Sequence, residues 1–209
     1  MSIVVAIDGP AASGKGTLAS RMAKELGFHH LDTGLLYRAT AFRLLTDNTS
    51  LDDPESAGKA AASLSAEDLA EPSLSDHAIG EAASKIAVYQ QVRQALFEYQ
   101  TNFANQEPGA VLDGRDIASV ICPDADVKLF VTATAEARAD RRHKQAHAKD
   151  SAAKYEDILA DIKKRDERDT NREVAPLMPD PNAHLIDTTN MDIETAFQEA
   201  LSIVKQALV

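Results

Sequence analysis

The chain has 209 residues, a formal net charge of −11, and a composition that is 44% hydrophobic and 5% aromatic. This length favours one sizeable core with small appendages, and the composition suits an alanine-rich soluble α/β protein. The sequence has no run of about 18 apolar residues, so no membrane span is expected. The acidic balance disfavours a nucleic-acid polymer as a partner, because such binding draws on Lys and Arg contacts to phosphates.

The cellular setting follows from the cysteine content and the first residues. Cys122 is the only cysteine. It leaves no internal disulfide to form, which fits a reducing cytosol. The first residues lead straight into an apolar strand pattern, without the basic and hydrophobic parts of a secretion signal. We therefore expect a cytoplasmic protein, and a monomer.

The first part of the chain predicts a strand, a glycine-rich loop and a helix. The β-branched run Ile3–Ile7 is typical of a buried parallel strand, and apolar residues recur at helical spacing through Leu18–Leu26. Glycines allow successive N–H groups of such a loop to face one anion, and the positive end of the helix adds to the field. The residues expected to hold nucleotide phosphates are Gly9, Pro10, Ala11, Ala12, Ser13, Gly14, Lys15, Gly16 and Thr17.

Two residues of this loop refine the prediction. Lys15 is placed to reach the outer phosphates as a point charge. The strict phosphate-loop pattern has Ser or Thr directly after the lysine, whereas here Gly16 intervenes and Thr17 supplies the hydroxyl for Mg²⁺. The alternative, a chance glycine-rich turn, is disfavoured by the flanking strand and helix.

The next residues change from a core helix to a polar segment. After Asp32-Thr33-Gly34, a helix is indicated by apolar residues at Leu35, Leu36, Ala39, Phe42 and Leu45. Residues 46–74 are rich in Asp, Ser, Ala and Pro, and we interpret them as two short helices, near Pro54–Ser63 and Ala66–Ala70, in a small mobile appendage. A disordered linker is the alternative.

The remainder of the chain alternates strands with helices, which predicts a parallel sheet covered on both faces. The residues from Asp76 to Phe103 are expected to form one long helix that Asp76 caps. The strands are expected at Ala110–Asp113, Val127–Thr132 and His184–Asp187, and the helices at Ala135–Gln145, Lys154–Asp169 and Asp192–Leu208, with a polar connection at His147–Ala152.

Two charged runs are difficult to explain by stability alone. Asp113 ends a strand, where it would either hold Mg²⁺ or cap a loop, and Arg115 would either bind phosphate oxygens or pair with a carboxylate. Charges at three- and four-residue spacing lie along one helix face, which favours a bound anion over a solvated surface. That face carries Arg165, Arg168, Asp169 and Arg172.

The motifs together resemble bacterial cytidylate kinases over nearly the whole chain. They are Ile7-Asp8-Gly9-Pro10, Gly14-Lys15-Gly16-Thr17, Leu31-Asp32-Thr33-Gly34, Tyr37-Arg38, Asp113-Gly114-Arg115-Asp116, Pro123-Asp124-Ala125, Arg165-Asp166, Arg168-Asp169, Arg172 and Ala175-Pro176-Leu177. The resemblance implies a P-loop NTPase-type α/β fold: a five-stranded parallel sheet with helices on both faces. It implies a core of residues 1–45, 76–146 and 170–209, a monophosphate-binding insert at about 46–75 and a lid at about 147–169.

The resemblance also implies phosphoryl transfer from ATP, with Mg²⁺, to CMP or dCMP. The cytosine contacts would be Ser84, Arg93 and Asp116; the acceptor-phosphate contacts Arg38, Arg115 and Arg172; the sugar contacts Arg165 and Asp169; and further acceptor contacts Thr33 and Tyr37. The catalytic set would be Lys15, Arg115, Arg168 and Arg172, with Arg168 over the ATP phosphates, and the metal ligands Thr17 and Asp113.

Two other functions remain open at this point. A related kinase would use another acceptor, such as UMP, AMP or shikimate, and a regulatory module would bind nucleotide without transfer. The insert of this chain is shorter than in many family members, and its sequence predicts helices. Because the insert closes over the monophosphate in the family, its length affects how tightly CMP is selected over UMP.

Overall fold

The sheet follows the predicted fold class. The computed structural model describes residues 2–147 and 153–208. Within these ranges five strands form one sheet: β1 Ile3–Asp8, β2 His29–Asp32, β3 Gly109–Gly114, β4 Val127–Thr132 and β5 His184–Asp187. Every pair is parallel, in the order β2-β3-β1-β4-β5. The predicted α/β fold with a five-stranded parallel sheet is therefore confirmed.

Helices connect and cover the strands. They are α1 Lys15–Leu26, α2 Thr33–Thr46, α3 Pro54–Ala62, α4 Ala66–Leu69, α5 His77–Ile86, α6 Gln90–Ala104, α7 Ala135–His147, α8 Tyr155–Asn171 and α9 Ile193–Ala207. A 3₁₀-helix spans Pro72–Ser75 and a π-helical turn spans Ile117–Ile121. In the part of the chain described here, no helix combines the length and apolar character that a membrane crossing requires.

Two apolar layers hold the helices on the sheet. Val5 and Ile7 face α1 and α9, whose Met22 and Phe197 complete one buried cluster. Ala6 faces the opposite side, where a second cluster is supplied mainly by α2, α3, α5 and α6. A strand that is buried on both faces needs a continuous apolar run, as Ile3–Ile7 provides. This packing fixes β1, and therefore the loop that follows it.

The helix predicted from Asp76 to Phe103 is two helices, so that prediction is wrong. The chain turns at residues 87–89, between α5 and α6. Ile86 and Val92 are both fully buried, yet they lie six positions apart, which on one continuous helix puts them on different faces. Two helices let both side chains reach the core. Asp76 occupies the N-cap position of α5 but makes no capping hydrogen bond with its side chain.

The segment before α5 is packed on the core. The two short helices predicted there are confirmed as α3 and α4. Ala57 and Ala61 of α3 are buried in the same cluster as α6, and a Cβ atom at Gly58 would lie 2.7 Å from Cβ of Gln91. The expectation of an appendage is therefore wrong for α3.

Two smaller expectations also need comment. Near the end of α2, Leu44 is buried, whereas Leu45, which belonged to the predicted apolar spacing, is 42% exposed. The predicted connection at 147–152 lies outside the described residues, apart from His147, which ends α7.

Candidate active site

The site is built where three neighbouring strands end. β1 lies between β3 and β4, and β2 lies on the other side of β3. In the sheet register Asp32 is opposite Asp113, and Ile7 is opposite Asp113 on the other side. The carboxyl ends of parallel strands meet at one edge, where ligands of open α/β sheets bind. The glycine-rich loop, Asp32 and Asp113 therefore share one rim, as their positions after strands predict.

The backbone of the loop explains its glycines. Gly9 has φ 155° and Gly14 has φ 93°, both in the region that side chains rarely adopt. A Cβ atom at Gly9 would lie 2.0 Å from the carbonyl oxygen of Val131, so only glycine fits between loop and β4. Ala12 also has a positive φ, 61°. The first helical residue after the loop is Lys15.

Lys15 is buried at the centre of this rim. It is 8% exposed, and its Nζ donates to the carbonyl oxygen of Pro10 at 3.4 Å. Burial, and next the positive charge of Arg115, lower the pKa of Lys15 to about 7, while Asp113 and Asp32 oppose the change. An anion beside this ammonium group would compensate for its lost hydration, because burial of a charge is costly without a partner.

Two arginines of α7 hold carbonyl oxygens of the loop. Arg138 donates to the carbonyl oxygen of Ala11 at 3.1 Å and holds Asp166 of α8 with both terminal nitrogens. Arg141 donates to the carbonyl oxygen of Ser13 at 3.4 Å and to Thr188. These bonds fix two carbonyl groups of the loop. The sequence gave no signal for this role of the two arginines.

Two acids stand beside the lysine. Asp113 is buried, and one of its carboxylate oxygens lies 3.0 Å from Nε2 of His30. Asp32 caps α2 by accepting from the N–H of Gly34, and burial together with the charge of Asp113 raises its pKa. Asp32 was not among the predicted metal ligands, although it ends a strand next to Asp113.

A wide cleft opens beside the loop, with a cavity of about 660 Å³. Its walls are the loop from Ala12 to Thr17, the end of α7 and the start of α9, including Arg141, Arg142, Gln145, Met191 and Ile193. Thr17 is exposed to this cleft. The cleft joins polar loop atoms to a partly apolar wall, which suits a ligand with a phosphate chain and an aromatic base.

A second pocket lies on the other side of Lys15. It gathers predicted acceptor residues from five elements of the chain: Thr33, Tyr37, Arg38, Ser84, Arg93, Arg115, Asp116, Arg165, Asp169 and Arg172. Its cavity is about 60 Å³, well below the roughly 300 Å³ of a small-molecule pocket. A nucleotide would therefore have to displace side chains that line this cavity.

Ion pairs between the predicted residues fill this pocket. Asp116 accepts a hydrogen bond from Arg93 and lies 3.4 Å from Arg172. Nε of Arg115 donates to Asp169 at 2.9 Å, which is the carboxylate pair left open as an alternative by the sequence. Burial is the largest single effect on the pKa of Asp169 and would raise it. The charges of Arg115 and Arg165 act in the opposite direction, and the pKa of Asp169 is lowered overall.

Three further arginines differ in how they are held. Arg38 donates to the carbonyl oxygen of Leu74 at 2.7 Å, so the 3₁₀-helix fixes it at the pocket. Arg165 lines the pocket, and in the described part of the chain its buried Nε has no hydrogen-bond partner. Arg168 donates to Ser84 at 2.7 Å and lies 3.5 Å from Glu81, so the structure does not bring it to the loop.

Fold and site together define the class. A strand–loop–helix cup for phosphates faces a pocket lined by arginines, at one edge of a five-stranded parallel sheet. This combination is that of a P-loop phosphotransferase whose acceptor is itself an anion.

Comparison with known proteins narrows the class. The family model of cytidylate kinase matches residues 5–206. The cytidylate kinase of Rhizobium meliloti (strain 1021) is 56% identical over 208 residues, covering 100% of this chain and 98% of its own. That of Brucella suis biovar 1 (strain 1330) is 57% identical over 205 residues, covering 98% and 94%. The chain belongs to the cytidylate kinase family, and it is a nucleotide kinase.

A solved structure supports the fold. An uncharacterized protein from Eubacterium ventriosum ATCC 27560 covers 98% of this chain and 99% of its own, with a TM-score of 0.60 at 15% identity. At this identity the likeness concerns the fold alone.

Proposed function

We propose that the two halves of this site perform one reaction, the transfer of the γ-phosphoryl group of ATP to CMP or dCMP. The observation that carries the proposal is the position of Lys15, which is buried between the phosphate loop and the arginine-lined pocket, within electrostatic reach of Arg115 and Arg165. Two phosphate groups brought together need positive charge at their meeting point, since most of the catalysis of phosphoryl transfer is positioning and charge stabilisation.

ATP is assigned to the wide cleft. The N–H groups of the loop, except at Pro10, which has none, and of the first turn of α1 would hold its phosphates. Lys15 would contact the outer phosphates, and its pKa would rise on binding because the phosphates supply the missing negative charge. The base would lie between the α7 end and the start of α9, where Arg142 and Met191 line the wall.

Mg²⁺ is assigned to the rim beside the loop. When bound, Mg²⁺ would neutralise charge on the outer phosphates, and in proteins it is usually held by one or two carboxylates with substrate oxygens and water. The residues fit that requirement: Asp113 and Asp32 are adjacent acids, and burial together with the charge of Asp113 raises the pKa of Asp32, an effect that a cation would oppose. Thr17 would supply a hydroxyl from the cleft side. In the described ranges no group of three or more His, Cys, Asp and Glu residues could hold a metal alone.

CMP is assigned to the narrow pocket. Asp116 would accept from the cytosine amino group, with Ser84 and Arg93 beside it, and a carboxylate there penalises the carbonyl of uracil. Arg38, Arg115 and Arg172 would hold the acceptor phosphate, and Asp169 the sugar. Among the described residues, the buried Nε of Arg165 has no hydrogen-bond partner and lies 4.0 Å from Asp169, so Arg165 is suited to an anion as well as to the predicted sugar contact.

The chemistry then needs no strong general base. An oxygen of the ionised acceptor phosphate attacks the γ-phosphorus, the bond to the β–γ bridging oxygen breaks, and ADP leaves with that electron pair. Arg115 and Arg172 stabilise charge on the transferring group, and Arg168 would join them only after leaving Ser84 and Glu81. Exclusion of water would keep transfer to CMP ahead of hydrolysis.

Two parts of the chain would move during this cycle. We assign residues 46–75 to the monophosphate-binding insert, because Leu74 of that segment holds Arg38. We assign residues of about 147–169 to the lid, because α8 contacts both α7 and α5. This helix carries Arg165, Arg168 and Asp169. We expect the enzyme to work as a cytoplasmic monomer. Light scattering tests the oligomeric state by measuring the mass of the protein in solution.

The test is a coupled ADP-release assay with ATP and Mg²⁺ across CMP, dCMP, UMP, AMP and shikimate. CMP and dCMP should give the highest kcat/KM, and Asp116→Ala should reduce the preference for CMP over UMP. A preference for AMP or shikimate, or ADP release that does not depend on any acceptor, would overturn the proposal.

A further inference from the structure

Asp8 makes an unusual pair of hydrogen bonds at the end of β1. It directly precedes Gly9 of the phosphate loop and is 3% exposed. Its two carboxylate oxygens accept from the backbone N–H groups of Ile117 and Ala118, each at 2.8 Å. These bonds cross more than a hundred residues of sequence and reach the turn that follows Asp116.

The two N–H groups are ones that a helix leaves without internal partners. The π-helical turn Ile117–Ile121 starts after Asp116, whose carbonyl oxygen accepts from Val120 and Ile121. An aspartate in this N-cap position normally accepts from the N–H of the second or third helical residue, here Ala118 or Ser119. Asp116 makes no such bond, and Asp8 accepts from Ala118, one of these two donors, as well as from Ile117.

The carboxylate of Asp116 is thereby left for the pocket. It accepts from Arg93 and lies 3.4 Å from Arg172, in the pocket that also contains Ser84. If Asp8 were absent, the N–H of Ala118 would be open to the same carboxylate. The local bond and the contact with a substrate would then compete for one side chain.

We propose that Asp8 is a positioning residue for base selection: it caps the turn in place of Asp116 and so keeps the Asp116 carboxylate directed into the acceptor pocket. This inference rests on the proposed role of Asp116 in reading cytosine. It adds a physical link between the two halves of the site, because Asp8 directly precedes the phosphate loop and would also orient the Asp116 carboxylate that reads the base.

The bonding pattern requires a carboxylate. Two N–H donors face one side chain, and a carboxylate offers acceptors on both oxygens. Asn has nearly the same shape but would direct its NH₂ group at one of the two donors. The change Asp8→Asn therefore removes the capping function at nearly constant volume. Asp8→Ser is a second variant, because its small hydroxyl group can still accept one bond without opposing the other donor.

The test compares acceptor preference in matched variants. We expect Asp8→Asn to lower the ratio of kcat/KM for CMP to that for UMP by about tenfold, mainly through KM for CMP, while KM for ATP changes less than about threefold. A tenfold change corresponds to the weight of about one hydrogen bond to a charged group. Asp8→Ser should give a smaller change in the same direction, and it takes over the test if Asp8→Asn does not fold.

Asp126→Asn is the matched control. Asp126 accepts at 2.8 Å from the N–H of Val4, so it makes the same kind of bond near the opposite end of β1. This variant should keep the wild-type ratio of CMP to UMP.

A double-mutant cycle with Asp116→Ala separates positioning from simple loss of structure. If Asp8 acts through Asp116, then Asp8→Asn should change the CMP to UMP ratio little once Asp116 is alanine. Equal losses with CMP and UMP, a rise in KM for ATP alone, or full additivity in the double variant would overturn the inference.

The result also distinguishes this inference from the proposed function. A wild-type enzyme without preference for CMP would remove the proposed function itself. Loss of preference in Asp116→Ala, with none in Asp8→Asn, would leave that function standing and reject only the role of Asp8.

Discussion

The phosphate loop and the acceptor pocket are held in opposite ways. The loop is braced by residues outside it, such as Arg138 and Arg141, which bind its carbonyl oxygens. The pocket is held by its own functional residues, which pair with one another, as Asp116 does with Arg93. The donor cleft is about 660 Å³ and the acceptor cavity about 60 Å³. The difference indicates a preformed donor site and an acceptor site in which substrate must replace internal ion pairs.

The largest expected effect tests the charge that both halves share. Lys15→Ala should lower turnover by about 10²- to 10³-fold, since a preorganised positive charge at the transferring phosphate is lost. Lys24→Ala is the matched control, because Lys24 lies exposed on the same helix. Near-normal turnover of Lys15→Ala in steady-state ADP release would contradict a shared phosphate meeting point.

The next effect tests the acceptor side alone. Arg115→Ala should lower turnover by about 10²-fold, because its guanidinium group would hold transferring oxygens after leaving Asp169. Arg115→Lys keeps the charge but loses the planar fork, so it should recover only part of the rate. Full recovery by lysine, measured as kcat with saturating CMP, would count against a bidentate role.

A smaller effect tests whether the loop is braced from outside. Arg138→Met removes the bonds to Ala11 and Asp166, each made by a charged donor. We expect KM for ATP to rise about tenfold while KM for CMP stays within about twofold, since only the bond to Ala11 acts on the loop and one bond with a charged donor contributes roughly 1.5–3 kcal/mol. Equal increases in both KM values would show that the two halves are not held separately.

The smallest effect concerns stability and pH. Burial raises the pKa of Asp8 from 3.8 to about 6, against the bonds from Ala118 and Ile117. Between these values the folded state binds more protons than the unfolded state, so this group makes stability fall as pH rises. From pH 4.5 to 7 the wild type should lose about 1–2 kcal/mol relative to Asp8→Asn in urea unfolding. An equal pH dependence in the two proteins would contradict the shift.

The donor half was predictable because its signals are local. Strand, glycines, lysine and helix follow one another within residues 3–26, and each has a physical reason that a single stretch of sequence shows. The strand ends then placed Asp113 and Asp32 on the same rim, since parallel strands share an edge. The break between α5 and α6 was also present in the sequence, as a change of phase between Ile86 and Val92, but the apolar content concealed it.

The base-reading part of the acceptor half was predictable only through family resemblance, whereas the arginine spacing in residues 165–172 already favoured an anion site. Ser84 and Arg93 lie on helices whose spacing gives no reason to select them, and Asp116 looks like an ordinary turn residue. The roles of Asp8 and Arg138 depend on side chains that bond to backbone atoms more than a hundred residues away. No pattern in one sequence specifies such contacts, because they arise from the packing of the sheet and its helices.

The most direct measurement uses a ligand that spans both halves, with cytidine and adenosine joined through a pentaphosphate chain. Titration calorimetry should give one site per chain and a dissociation constant at least about tenfold below that of ATP, because joined groups bind with a high effective concentration. Lys15→Ala and Asp116→Ala should each weaken this ligand, although they lie in different halves. Affinity no better than that of ATP, unchanged by Asp116→Ala, would contradict a single site that brings two nucleotides together.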